Sequence, residues 1–226
     1  MGSKKESTFV NMVGALLIVT LISSAILGYI YELTKEPISK ARLNKKITAI
    51  KEVVPEFNNN PDSAKFEIPV EGGAPVVAYP AEMNGEFVGV AIETYTNSGF
   101  GGLIKIMVGF EPDGTIYNYQ VLEHKETPGL GTHMAEWFKP SSGVVKKRNV
   151  FADWLFGVKP SSGGDSKSIV GKNPGKVKMI VSKDGGDIDA ITAATISSRA
   201  FLDAVNRGYN SFKSHYSQTE KEVTNE

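Results

Sequence analysis

Residues 76–94 read VVAYPAEMNGEFVGVAIET, two runs of valine, isoleucine and aromatic residues on either side of Asn84-Gly85. Asn-Gly is the dipeptide that best tolerates two successive positive φ angles, so the stretch predicts a hairpin of strands Val76–Met83 and Glu86–Thr94 closed by a two-residue turn. A second pair, Gly102–Phe110 and Thr115–His124, flanks Pro112-Asp113-Gly114, and both members are rich in β-branched and aromatic residues. The two pairs predict a meander of at least four strands.

Helical patterns stand on either side of this meander. Phe9–Tyr31 is a 23-residue stretch without a charge, about 34 Å long as a helix and enough to cross a bilayer. Lys4 and Lys5 precede it and Glu32, Lys35 and Glu36 follow, a mild bias toward a cytoplasmic N-terminus and an exported remainder. Ser23, Ser24 and Ala25 would also suit a cleaved signal peptide, but the apolar run continues past them to Tyr31. Beyond Pro37, residues Leu43, Ile47, Ile50 and Val54 recur at helical spacing, which predicts an amphipathic helix over about 37–54. Asn58–Ser63 (NNNPDS) is a polar break. Pro160–Gly175, rich in glycine and serine, reads as a long loop before a strand at Lys176–Ser182. The last element is a helix over about Ala194–His215, with Phe201, Ala204, Val205, Gly208, Tyr209 and Phe212 on one apolar face and Arg199, Asp203, Arg207 and Lys213 opposite. The fold class is α+β: an N-terminal transmembrane helix, then a mixed or antiparallel sheet domain with flanking helices. The map is 1–8 cytoplasmic, 9–31 membrane span, 32–57 linker helix, 58–217 extracytoplasmic domain and 218–226 charged tail.

Composition narrows the chemistry. Lys plus Arg (25) balances Asp plus Glu (25), so there is no basic field to hold nucleic acid. Cysteine is absent, which removes disulfides, thiolate nucleophiles, cysteine-ligated clusters and c-type haem attachment. The three histidines, His124, His133 and His215, are widely spaced, and no metal site is expected. Asp184, Asp187 and Asp189 lack the spacing and closing glutamate of a calcium loop.

The sharpest motif is Asp189-Ala190-Ile191-Thr192-Ala193-Ala194-Thr195 at the entry to the last helix. First-turn amides have no intrahelical partner and sit at the positive end of the helix dipole, which favours a phosphate, and alanines leave room for close approach. From spacing alone, Thr192 fits equally an ordinary N-cap ahead of good helix formers.

The stretch resembles the flavinylation signature of the FMN-binding domain family, Asp-x-x-(Ser/Thr)-(Gly/Ala)-Ala-Thr, met by Asp189, Thr192, Ala193, Ala194 and Thr195. Ala193 stands where glycine is commoner, a change of one methyl that tightens the site. Glu126-Thr127-Pro128-Gly129-Leu130-Gly131 is similar to the family's ETPGLG loop, and Ser98-Gly99-Phe100-Gly101-Gly102 to its glycine-rich entry into the next strand. The N-terminal part, Ser7–Tyr31 through Thr34-Lys35-Glu36-Pro37-Ile38 to Val54-Pro55-Glu56-Phe57, resembles the G subunits of Rnf-type ion-translocating electron transport complexes. The C subunit of the sodium-pumping NADH:quinone reductase shares the flavin motif behind a different lead-in.

The resemblance implies a covalent FMN on Thr195 through a phosphoester, installed by a flavin transferase that takes FMN from FAD with a magnesium ion. It implies cofactor contacts from Asp189, Thr192, Ala193, Ala194, Glu126, Thr127, Gly129, Leu130 and Gly131. Glu126 would either set a negative charge near the flavin ring or be a solvated loop carboxylate. Implied partners are the other membrane subunits, which couple electron transfer between ferredoxin and NAD to ion movement, together with membrane lipid. Gly14, Ala15, Ser23, Ser24, Ala25 and Gly28 offer small surfaces for helix packing. No catalytic residue of the chain's own is expected. The alternatives are an anchored flavin carrier feeding an extracellular reductase, the related quinone-reductase subunit, and a non-redox anchored module.

Overall fold

The computed structural model describes residues 8–70, 72–140 and 166–223, without the side chains of 217–223. The chain divides into residues 1–46 and 47–226.

Helix α1 (Phe9–Val53) carries the predicted span and is the one helix among the described residues that is long and apolar enough to cross a membrane. Its apolar side chains from Phe9 to Tyr31 are exposed. The sequence suggests a separate helix starting near Pro37, whereas the structure carries one helix through it. Proline inside a helix removes the bond its amide would give four residues back, here to Leu33. Ion pairs Lys35–Glu32 (3.9 Å) and Lys40–Glu36 (3.7 Å) flank the position on the exposed helix.

In residues 47–226, five strands follow in chain order: β1 (Phe66–Ile68), β2 (Val76–Met83), β3 (Glu86–Gly99), β4 (Gly102–Phe110) and β5 (Ile116–His124). They form a fully antiparallel meander in the order β1-β2-β3-β4-β5, and the short helix α2 (Met134–Trp137) comes after β5. The first hairpin turns where expected: Met83 pairs with Glu86, and Asn84 (φ 55°) and Gly85 (φ 86°) supply the two positive angles. Strand β1 is too short for any periodicity to mark it. Strand β3 runs five residues past the expected Thr94, through a bulge between Thr96 and Gly99, to a tight tip at Phe100-Gly101.

Alternation along the strands makes two apolar faces. Val90, Ile92, Ile104, Ile106, Val108 and Phe110 face α3 (Thr195–Val223) and its Phe201, Ala204, Val205 and Phe212. Phe201 stacks on Phe138 (4.5 Å between centroids, 8° between planes), Phe110 stacks on Phe212 at 5.4 Å, and the Thr94 hydroxyl donates to the Ala204 carbonyl at 3.0 Å. Tyr79, Ala81, Ala91 and Met107 point the other way and bury Ala49, Ile50, Val53 and Val54, the end of α1 and the residue after it.

The strand expected at Lys176–Ser182 does not form. Lys176 and Val177 donate to Asn173, the Lys178 amide to the Asp187 carboxylate and Ile188 to Ile180, so the segment folds on itself. Among the described residues of this segment, one bridge, Val181 to Ile188, has strand character. The long loop is without helix or strand over 166–175, and its earlier part lies outside the described residues. Helix α3 begins one residue later than predicted and continues past His215 to Val223, taking in most of the expected tail.

Candidate functional site

Three segments distant in sequence meet at a cleft of about 310 Å³. The first wall is the entry to α3: Ala193, Ala194, Thr195, Ile196 and Ser197. The second is the loop after β5: Glu126, Thr127, Leu130 and Gly131. The third is Phe100, at the tip between β3 and β4.

The α3 wall is built by a tight turn. Ala194 donates its amide to the Ile191 carbonyl (3.0 Å), and Ala193 takes the left-handed conformation with φ 61°. Ser198 clasps the turn, its hydroxyl accepting from the Ile191 amide (2.9 Å) and donating to the Ala194 carbonyl (3.0 Å). Ser198 therefore does the local work expected of a capping Thr192, which is exposed and does not line the cleft. Among the described residues, the amides of Thr195, Ile196 and Ser197 have no acceptor, as a first helical turn dictates. Thr195 is half-buried.

The β5 loop turns through Gly129 (φ 74°), whose amide donates to the Thr132 hydroxyl at 3.0 Å while Leu130 donates to the Thr127 carbonyl at 3.2 Å. Gly129 thus shapes the wall without lining it. Glu126 is no solvated loop carboxylate: it is 5% exposed, and its Oε1 accepts from the Gly101 amide (3.0 Å) while its Oε2 accepts from the Ser197 hydroxyl (2.5 Å).

Asp189 stands behind the site. Its carboxylate accepts from the hydroxyls of Ser166 and Ser182, and its carbonyl from the Trp137 indole at 3.0 Å. The Ser166 bond first and the Ser182 bond second hold its carboxyl below the ordinary range, with Lys167 and Lys172 adding attraction. The neighbouring acids are likewise engaged: Asp187 accepts from the Lys178 amide, and Asp184 pairs with Arg199 through two bonds of 2.6 and 2.8 Å. Among the described residues no cluster of metal-ligating side chains occurs.

Phe100, Ile196 and Ser197 line the cleft but are not among the cofactor contacts that the resemblance implies. Beyond Val53, the large apolar side chains left exposed among the described residues are Phe100, Tyr117, Leu130, Ile180 and Ile196, and three of these five rim the cleft. A lone phenylalanine inside the glycine cluster at 99–102 was the available signal, since a turn there has no need of an aromatic. The arrangement can accept an anion at the free amides and a flat apolar body between the exposed side chains.

The FMN-binding domain family matches residues 99–210, from the β3–β4 tip into α3, and so takes in all three walls. Over most of its length the chain is similar to proteins named as the G subunit of an ion-translocating oxidoreductase complex. That of Vibrio atlanticus (strain LGP32) is 32% identical over 199 residues, 85% of this chain and 84% of that protein. That of Pasteurella multocida (strain Pm70) is 30% identical, covering 85% of this chain and 87% of its own. That of Aliivibrio fischeri (strain MJ11) is 28% identical, covering 88% of each.

Proposed function

We propose, because this chain belongs to the family formed by the G subunits of ion-translocating oxidoreductase complexes and carries an FMN-binding domain, that it is the membrane-anchored electron-transfer subunit of an Rnf-type complex, with FMN esterified to Thr195. One observation carries the reading of the site. Of the flavinylation signature, the three residues at its end, Ala193, Ala194 and Thr195, line the cleft, beside three amides that are unpaired among the described residues and opposite the ETPGLG loop.

The residues present fit the group. The amides of Thr195, Ile196 and Ser197 would hold its phosphate at the positive end of α3. Small side chains at 193 and 194 leave the backbone approachable, and Phe100, Leu130 and Ile196 supply apolar surface for a flat ring. FMN, when bound, supplies reversible electron transfer. In maturation the Thr195 oxygen forms a bond to the FMN-side phosphorus of FAD, the bond to AMP breaks, AMP leaves and the threonine proton is lost. The flavin transferase performs that step with magnesium. Thereafter Thr195 retains the group, Thr127, Leu130 and Gly131 line it from the other side, and Asp189 and Gly129 hold the two walls in shape.

In this reading oxidation of ferredoxin or NADH and ion movement belong to partner subunits. Helix α1 anchors the chain in lipid beside them, with the flavin domain on the extracytoplasmic side as the lysines before the span favour. The decisive measurement is intact mass of full-length protein purified from membranes after expression with a flavin transferase. Wild type is expected to gain one FMN less one water, Thr192→Ala to gain the same and Thr195→Ala to gain nothing. An unmodified wild type, or a modified Thr195→Ala, overturns the assignment. Copurification with several polytopic membrane proteins separates a complex member from a free-standing flavin carrier.

A further inference from the structure

We infer that Glu126 is a positioning residue: through Ser197 it latches the first turn of α3 to the β3–β4 tip and the β5 loop, and so sets how Thr195 is presented. The bearing of this latch on flavin attachment rests on the reading above, but its geometry does not.

The two bonds of the carboxyl join segments far apart in the chain. Gly101 is 25 residues before Glu126, and Ser197 is 71 after it. Glu126 is 5% exposed and Ser197 3%, so both bonds are shielded from water, where an unmade partner is most costly. The glycines around it are those of the two motifs. A Cβ on Gly99 would stand 2.5 Å from Oε1, and one on Gly131 would stand 2.6 Å from Oε2 and 2.6 Å from the Ser197 hydroxyl. One on Gly101 would meet the Lys125 carbonyl at 1.9 Å. Gly99 and Gly131, one from each motif, therefore share a steric reason, which is to leave room for this carboxyl to reach Ser197, whereas Gly101 answers to the Lys125 carbonyl and Gly102 to its positive φ of 93°.

Among the described residues no Lys, Arg or His side chain lies within ion-pair distance of Glu126. Its task is thus one of reach, since a neutral side chain of equal length could make the same two bonds. In Glu126→Gln the amide oxygen would accept from Gly101 and the amide nitrogen would donate to Ser197. Glu126→Asp keeps the charge but is one methylene too short.

The test uses the full-length chain in detergent, before and after flavin attachment. Hydrogen exchange over residues 191–201 is read in the unloaded protein, and the rate of attachment and the visible circular dichroism of the flavin are read with the transferase. Glu126→Asp and Ser197→Ala are expected to speed exchange of the hydrogen-bonded amides of Ile191, Ala194 and Ser198 and to slow attachment about tenfold, the effect of one lost buried bond. Glu126→Gln is expected to match wild type in the exchange of those amides. The latch is overturned if Glu126→Asp matches wild type, if Glu126→Gln speeds exchange as the aspartate does, or if Ser197→Ala leaves exchange unchanged. Should wild type take up no flavin, the flavin reading falls, and exchange in the unloaded chain still decides the latch.

Discussion

The carbonyl oxygen of Val53, last residue of α1, lies where any side chain at position 109 would begin: a Cβ on Gly109 would stand 1.6 Å from it. No flexible atom can yield there, because the neighbour is backbone. Gly109→Ala must push the end of α1 off the sheet and open the layer of Ala49, Ile50, Val53, Tyr79 and Met107. Overpacking of this kind destabilises by about 1–3 kcal/mol. Urea melts in detergent should show a lower midpoint with the cleft intact, and an unchanged midpoint would show that the seat is looser than the contact implies.

Ala193 makes the opposite case. With φ at 61° it occupies a conformation that disfavours L-residues by about 1–2 kcal/mol, partly offset because glycine loses more chain entropy on folding. Ala193→Gly should therefore stabilise the protein by up to about 1 kcal/mol and leave flavin attachment intact. A denaturant midpoint that falls in the glycine variant would mean the methyl is needed for packing at the cleft.

That alanine shows what the sequence could and could not disclose. Side-chain size explains why a small residue follows Thr192, but the left-handed turn is a property of the backbone and leaves no trace in residue type. The Asn84-Gly85 hairpin was legible because its turn chemistry is local, and α3 because its apolar face repeats every three to four residues over about three turns. Lys176–Ser182 has the same apolar character as a strand, yet it pairs with no edge of the sheet, which only the tertiary fold decides. The role of Glu126 was hidden for a related reason: its partners Gly101 and Ser197 are brought to it by the meander and by α3, and no spacing encodes them. Pro37 reads locally as a helix start, and only the continuous backbone of α1 shows that the exposed helix tolerates it.

Phe201 tests how far the cleft depends on the core beneath it. Its ring is fully buried between Phe138 and Tyr119, at 4.5 and 5.0 Å, about one and two-thirds turns after Thr195. Phe201→Ala should lower stability by about 3–5 kcal/mol, whereas Phe201→Leu should lose less than half of that. If flavin attachment at low temperature survives in the leucine variant and fails in the alanine variant, seating of α3 sets the site. Equal loss in both would point to the aromatic stack itself.

Asp189 gives a prediction with a defined pH window. Its carboxyl is held below the ordinary range, chiefly by the Ser166 hydroxyl and then by Ser182. A carboxyl depressed in the folded state contributes stability that is fully present above its unfolded pKa, about 3.9, and that disappears as pH falls through the lower folded value. Asp189→Ala removes that contribution at neutral pH and has nothing further to lose in acid. Urea midpoints from about pH 6 to about pH 2.5 should show wild type more stable at the upper end and the two curves converging below about pH 4. Asp184 and Asp113 are depressed as well and remain in both proteins, so their share of the acid slope cancels in the difference. Curves that stay parallel throughout would show that the two serines support the Asp189 turn equally well around a protonated carboxyl.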